Sequence, residues 1–169
     1  MAAWRVSELN GLDRERFVEL LGDVVEASPW VAEEAANVRP FRTREELTRA
    51  FAAALRHADR GAKLAVIRAH PDLGAKLDEV ATASRHEQRG AGLDRLDEEQ
   101  RAQLRELNEA YRVKFGFPFI VAVKGADVAQ VLAAFEARLP NDLETEFATA
   151  LGEVEKIVAN RLADRVVEG

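Results

Sequence analysis

The sequence predicts an all-α protein, a single compact domain of about seven or eight helices over residues 1–169. Apolar residues recur at spacings of three and four along most of the chain, as a helix with one buried face requires. Capping signals occur at two places along the chain. Alternation of β-branched residues, which is typical of a strand, appears only in the short stretch FIVAV at 119–123. The length fits one domain with a sizeable core, and no linker or repeat divides it.

Four stretches carry the clearest helical pattern. In chain order their apolar positions are Phe17, Leu20, Leu21, Val24 and Val25; Leu104, Leu107, Tyr111 and Phe115; Val128, Val131, Leu132, Phe135 and Leu139; and Phe147, Leu151, Val154, Ile157 and Val158. The segments TREE at 43–46 and NDLE at 141–144 each place a capping side chain, Thr43 or Asn141, three residues ahead of a glutamate. That spacing predicts a helix start at both places.

Composition excludes several classes of function. The chain is 47% hydrophobic and 32% charged, and its formal net charge is −6. This balance argues against a nucleic-acid or anionic-membrane surface, because both bind clustered Lys and Arg. The chain contains no run of about 18 apolar residues, the length needed to span a bilayer, and the N-terminus lacks the apolar core of a secretory signal. There is no cysteine, hence no disulfide or thiolate nucleophile. We therefore expect a cytoplasmic protein.

The stretch RAHPDLGAKL at 68–77 contains a histidine at a predicted break. Good helix-forming residues run from Ala62 to Ala69, and Pro71 then disfavours the α region for the residue before it. The helix is therefore predicted to end at His70, and the histidine to lie at a surface break rather than deep in the core. A histidine in such a position is most often a helix-end residue without chemistry, so this feature alone does not assign a function.

Three further places depart from regular helix. SRHEQRGAG at 84–92 ends in glycines, which is also common in a solvated loop. In KFGFPFIVAVKG at 114–125, Gly116 suits the left-handed position after a helix and Pro118 cannot continue one. The extended chain at 119–123 then has backbone groups that need partners. Arg161 lies on the apolar stripe of the last helix, where it needs an anionic partner or must extend its head group to water.

The three histidines, His57, His70 and His86, show no metal-ligand spacing, and the sequence predicts no metal site.

Taken together, these segments resemble the OHCU decarboxylase family, that is, 2-oxo-4-hydroxy-4-carboxy-5-ureidoimidazoline decarboxylase of the urate-to-allantoin pathway. The matching motifs follow one another in the family's order along almost the whole chain. They are LN at 9–10, EASPW at 26–30, RPF at 39–41, HPDLG at 70–74, S-x-x-E-Q at 84–88, FGFPFI at 115–120 and E-x-x-K-I-x-x-x-R-L at 153–162. HPDLG together with FGFPF is the most specific pair.

The resemblance implies the family's all-α fold and a cofactor-independent carboxy-lyase that forms (S)-allantoin, commonly as a homodimer. It implies that His70 is the catalytic acid and that Glu87 is its partner. The implied substrate is a small ureidoimidazoline carboxylate. The predicted substrate-binding residues are Pro71, Ser84, Arg85, His86, Glu87, Gln88, Phe119, Ile120, Val121, Ala122, Val123 and Arg161, of which Arg85 and His86 occupy variable positions of their motif.

Two other interpretations remain open at this point. A helical interaction module would explain the amphipathic stripes equally well, with His70 as a structural cap. It would not explain why one small domain combines an arginine on a core stripe with breaks at His70 and at Gly116–Pro118. A hydrolase or aldolase-like enzyme of the same fold would keep the pocket and change the chemistry.

Overall fold

The computed structural model describes residues 3–73, 87–93 and 95–169. The predicted all-α class is confirmed. The helices with defined bounds are α1 (Val6–Asn10), α2 (Arg14–Leu21), α3 (Trp30–Ala36), α4 (Arg44–His57), α5 (Arg60–Ala69), α6 (Glu98–Phe115), α7 (Val128–Arg138) and α8 (Leu143–Arg165). Residues 87–90 are helical as well. None of the helices in these ranges is long and apolar enough to cross a membrane.

The described residues group into two compact units. Unit 1 comprises those within Met1–Val66 and Glu155–Gly169, and unit 2 comprises those within Ile67–Val154. The expectation of one domain over residues 1–169 stays a prediction.

In unit 1, helix α3 packs against both α2 and α4. A parallel pair of two-residue strands, β1 (Trp4–Arg5) and β2 (Val166–Val167), aligns Trp4 with Val166 and Arg5 with Val167. The sequence does not predict this pairing, because two residues are too few to show alternation. The largest fully buried side chains of the unit are Leu9, Phe17, Leu21, Leu47, Phe51, Leu55 and Leu162.

Two of the N-terminal motifs contact each other in this unit. The side-chain amide of Asn10 donates to the carbonyl of Phe41 at 2.8 Å, and its oxygen accepts from the Phe41 N–H at 2.8 Å. Arg39 donates to the carbonyl of Leu9 at 3.1 Å, and its guanidinium lies 5.0 Å from the ring centre of Phe17. These residues therefore satisfy backbone groups at the end of α1 and join two sequence segments.

The core of unit 2 is an aromatic cluster around Tyr111 on α6. Its ring centre lies 4.5 Å from that of Phe115 and 5.1 Å from that of Phe119. Phe119 in turn stacks on Phe135 of α7 at 3.7 Å. Aromatic pairs of this kind add to the stabilisation that burial of their surface provides. The cluster packs the chain that follows α6 against α6 and α7.

The capping predictions have different outcomes. Thr43 caps α4 as predicted, because its hydroxyl accepts from the Glu46 N–H at 3.1 Å. The prediction for Asn141 is wrong: Asp142 caps α8, accepting from the Thr145 N–H at 2.7 Å. A carboxylate directly before the helix fits this role as well as an amide does. The apolar pattern from Phe17 to Val25 also predicts too long a helix. Helix α2 ends at Leu21, and Val24 and Val25 are buried beyond its end.

Candidate active site

His70 lies directly after the last residue of α5, as the sequence predicts. The helix ends at Ala69, and the His70 N–H closes a tight turn on the carbonyl of Ile67 at 3.2 Å. The expectation that the histidine lies at a surface break is wrong, because only 7% of His70 is exposed. The chain leaves the helix where Pro71 requires, but it does so inside the unit.

Helix α6 anchors the segment around His70 at positions four residues apart. Arg112 forms an ion pair with Asp72, and the side-chain amide of Asn108 donates to the Leu73 carbonyl at 2.9 Å. One turn further along, the Gly116 carbonyl accepts from the Arg68 guanidinium at 3.2 Å. Residues spaced by four share one face of a helix. This face of α6 therefore holds the backbone on both sides of the histidine.

The second predicted segment is described only in part. Ser84, Arg85 and His86 lie outside the described residues. Glu87 and Gln88 are both helical; Glu87 is half-buried and Gln88 is buried. The turn after them is closed by the Leu93 N–H, which donates to the Gln88 carbonyl at 2.9 Å. These two residues therefore lie in a helical segment that ends in a closed turn, and not in a solvated loop.

The third segment begins at the predicted glycine. Gly116 ends α6 with φ 80° and ψ 11°, the left-handed conformation expected there. The chain at 119–123 is irregular rather than a strand. Phe119, Ile120 and Val123 are buried, whereas Val121 and Ala122 are half-buried. Its backbone is partly paired within the protein, because the carbonyl of Val123 accepts from the Ala126 N–H at 2.9 Å.

An arginine that was not predicted as a site residue binds this segment. Arg138 donates to the Ile120 carbonyl at 2.6 Å and to Oε1 of Glu146 at 2.8 Å. The same carboxylate oxygen of Glu146 accepts from the Tyr111 hydroxyl at 2.6 Å, and its other oxygen accepts from Asn141 at 2.9 Å. The sequence contains a signal for this group, because Arg138 lies three residues after Phe135 on an apolar stripe. The reasoning that identified Arg161 applies equally to Arg138.

Burial raises the pKa of the Tyr111 hydroxyl, and its hydrogen bond to Glu146 adds to this effect. The phenol loses its proton only with the creation of a second negative charge beside a buried carboxylate. Tyr111 is therefore a neutral hydrogen-bond donor to Glu146 at ordinary pH.

Arg161 in unit 1 has the acidic partner that its place on the stripe predicts. One terminal nitrogen of its guanidinium donates to the Val24 carbonyl at 3.0 Å, and the second terminal nitrogen donates to Oε1 of Glu26 at 3.0 Å. Both charged side chains are buried. Glu26 belongs to the EASPW segment, whose role the motif alone did not indicate. A buried arginine predicts that an acidic partner exists, but it does not predict which residue that is.

Of the predicted site residues, His70, Pro71, Glu87, Gln88 and 119–123 thus belong to unit 2, and Arg161 belongs to unit 1. Within the ranges that the structure covers, no group of three or more His, Asp or Glu side chains could hold a metal ion. A metal-independent site stays a prediction.

The chain was compared with families and with curated relatives. The family model described as OHCU decarboxylase matches residues 10–163. A 2-oxo-4-hydroxy-4-carboxy-5-ureidoimidazoline decarboxylase of Halalkalicoccus jeotgali is 44% identical over 167 residues, which are 99% of this chain and 94% of the relative. A Haloferax volcanii protein of the same name is 44% identical over 160 residues, which are 95% of each chain.

Two solved structures are similar in fold. A crystal structure of (S)-allantoin synthase matches with a TM-score of 0.80 and 30% identity over 97% of this chain; the match spans 54% of that longer chain. A crystal structure of OHCU decarboxylase in the presence of (S)-allantoin matches with a TM-score of 0.70 and 26% identity over 83% of this chain and 93% of that one.

The family match covers nearly the whole chain, and both curated relatives align over almost their full length at 44% identity. The resemblance seen in the ordered motifs is thereby confirmed. This chain belongs to the OHCU decarboxylase family.

Proposed function

We propose that this protein catalyses the cofactor-independent decarboxylation of 2-oxo-4-hydroxy-4-carboxy-5-ureidoimidazoline to (S)-allantoin in urate degradation, with His70 as proton donor and Glu87 assisting. The observation that carries the proposal is the 44% identity, over nearly their full length, to two proteins named for this decarboxylase. The solved family member crystallised in the presence of (S)-allantoin supports the product.

The substrate's own structure explains why no cofactor is needed. Its name places a hydroxyl and a carboxylate on one ring carbon, next to the ureido-bearing carbon of a C=N bond. When the bond to the carboxylate breaks, its electron pair forms a C=C bond and the C=N pair moves to nitrogen, which takes a proton. The ureido carbon then takes a proton while the hydroxyl becomes a carbonyl. Overall, one proton is consumed and CO2 leaves, so the protein must supply orientation and a correctly placed proton.

His70 is suited to deliver the proton that sets the product's handedness. It follows the C-terminal end of α5, whose partial negative charge favours the imidazolium form. A nearby Glu87 carboxylate would favour the same form. Because His70 is buried and its flanking backbone is anchored to α6, its ring would present the proton to a planar intermediate from one fixed direction.

The remaining predicted residues would bind the substrate. Buried Phe119 and Ile120 give an apolar wall against a carboxylate. Release of CO2 would relieve the cost of desolvating that carboxylate. Backbone groups at 119–123 suit the ureido and ring amides. Arg161 offers a planar fork to carbonyl or carboxylate oxygens. Pro71, Ser84, Arg85, His86 and Gln88 complete the proposed substrate-binding set.

We also propose a cytoplasmic homodimer, as the family resemblance implies. The formal net charge of −6 and the absence of a membrane-crossing helix among the described residues are consistent with this environment. Light scattering after gel filtration tests the dimer, and a monomer at micromolar concentration would contradict it.

The test of the function is stereochemical, because the substrate also decays without enzyme. Freshly generated substrate is mixed with the protein, and optically active allantoin is followed by circular dichroism together with CO2 release. We expect (S)-allantoin to form faster than the racemic product of the buffer reaction. Racemic allantoin at the buffer rate would favour the interaction module, and a product that retains the carboxylate would favour a hydrolase or aldolase-like enzyme.

A further inference from the structure

We propose that Arg138, held in place by Glu146, is a positioning residue that orients the Ile120–Val121 peptide for substrate binding. The inference rests on the proposed function, which assigns 119–123 to the substrate pocket. None of the sequence motifs includes Arg138 or Glu146.

The contacts of the Arg138 guanidinium together fix its position. One terminal nitrogen donates to the Ile120 carbonyl at 2.6 Å, and Nε donates to Glu146 at 2.8 Å. The guanidinium carbon lies 4.3 Å from the ring centre of Phe119, within cation–π range. The planar guanidinium thus joins a carboxylate, a ring and a backbone carbonyl, which a lysine ammonium could not do with the same geometry.

Glu146 keeps the arginine in this position. None of its surface is exposed, and it accepts hydrogen bonds from Tyr111 and Asn141 as well as from Arg138. A buried carboxylate with all these partners has little freedom to reorient, and removal of one partner is strongly unfavourable. Its position in turn limits where the Arg138 guanidinium can lie.

The consequence for the pocket follows from peptide geometry. In a planar trans peptide the carbonyl and the following N–H point in opposite directions. When the Ile120 carbonyl is bound to Arg138, the N–H of Val121 must face away from Arg138. In the described part of the chain this N–H donates no hydrogen bond, and Val121 is half-buried. It is therefore a donor with a set direction, suited to a carbonyl or carboxylate oxygen of the substrate.

A purely structural ion pair and a positioning residue make different predictions. A structural pair affects the free energy of unfolding and leaves the affinity of the folded enzyme unchanged. A positioning residue affects the KM for substrate and the Kd for allantoin, with little change in kcat, because it orients a binding donor rather than the proton donor.

The experiment compares Arg138→Lys with Arg39→Lys as a matched control. Arg39 also donates to backbone carbonyls and lies over a phenylalanine ring, but it contacts none of the predicted site residues that the structure describes. We expect Arg138→Lys to raise the KM and the allantoin Kd about fivefold to tenfold, the effect of losing about one hydrogen bond. Arg39→Lys should leave both unchanged. Unchanged KM and Kd in folded Arg138→Lys would overturn the proposal.

A second measurement uses the wild-type enzyme and so does not depend on how the variants fold. Allantoin is titrated into 15N-labelled protein, and the amide signal of Val121 is followed by NMR. We expect this amide to be among those that shift at saturation. If allantoin binds and the Val121 amide does not respond, the positioning role is wrong while the proposed function stands. If the wild type neither forms optically active allantoin nor binds it, the proposed function itself fails.

Discussion

The guanidinium of Arg161 lies 3.0 Å from the carboxylate of Glu26, and 4% and 7% of these two residues are exposed. The partners are 135 positions apart in the sequence. A third group, the Val24 carbonyl, accepts a further hydrogen bond from the same guanidinium at 3.0 Å. The positive charge on the apolar stripe of α8 is thus balanced inside unit 1, by an acidic residue of the segment after α2.

This buried ion pair changes the effect on stability that we expect from the substitution Arg161→Met. The apolar stripe alone predicts that methionine would leave the stability unchanged or raise it. With Glu26 buried opposite, we expect a loss of about 3–5 kcal/mol, because a buried carboxylate would lose the charge of its arginine partner. Urea unfolding measures this loss. The double variant Arg161→Met/Glu26→Leu should recover much of it, and a double variant no more stable than the single one would contradict the explanation.

We expect His70→Gln to lower the rate of (S)-allantoin formation by about 10²–10⁴, the usual contribution of a general acid. Glutamine is similar in length, so the buried site should remain filled and the protein folded. Circular dichroism of the product gives the rate. His57→Gln is the matched control, because His57 also lies at the C-terminal end of a helix but is exposed. Stereospecific product at a near wild-type rate from His70→Gln would exclude His70 as the acid.

Glu87→Gln is expected to lower kcat far more than it changes KM. The substitution keeps the shape of the half-buried side chain and removes the charge that would support a protonated His70. Steady-state kinetics on freshly generated substrate separates the two constants. An effect confined to KM would assign Glu87 to substrate positioning instead.

We expect activity to be unchanged after prolonged treatment with EDTA and dialysis. The substrate accepts the electron pair itself, and the sequence has no cysteine and no histidines at metal-ligand spacing. The assay is the rate of optically active product before and after chelation. Activity that is lost in EDTA and restored by one divalent ion would refute this prediction.

The raised pKa of Tyr111 predicts that the protein loses stability at alkaline pH. Its pKa is raised in the folded protein by burial and by the hydrogen bond to Glu146. Because the pKa is higher in the folded protein, the neutral Tyr111 hydroxyl contributes fully to the free energy of unfolding below the ordinary tyrosine pKa of about 10. This contribution is lost as the pH rises above that value. We expect the free energy of unfolding to fall less steeply above pH ~10 in Tyr111→Phe than in the wild type. Because Tyr111 is the only tyrosine, tyrosinate absorbance follows its titration directly. Equal slopes in the two proteins would contradict the assignment.

Features set by neighbouring residues could be predicted from the sequence. Pro71 restricts the residue before it, and α5 ends at Ala69 as expected. Gly116 adopts the left-handed conformation that a side chain disfavours. Thr43 caps the helix that follows it. Asn141 and Asp142 are neighbours that could each cap α8, and the capping pattern indicated the wrong one. In the structure Asp142 caps the helix.

Features that depend on distant residues were decided only by the tertiary structure. Helical periodicity places Arg161 and Arg138 on buried faces, but it contains no information about what lies opposite. Glu26 and the group formed by Glu146, Tyr111 and the Ile120 carbonyl appear only when the chain is folded. The burial of His70 has the same origin, since its neighbours are anchored by side chains of α6. Local sequence determined where α5 and α6 end, and periodicity determined that Arg138 and Arg161 lie on inward-facing stripes. Because a buried charge must be paired by whatever packing brings near it, the identity of its partners belongs to the fold.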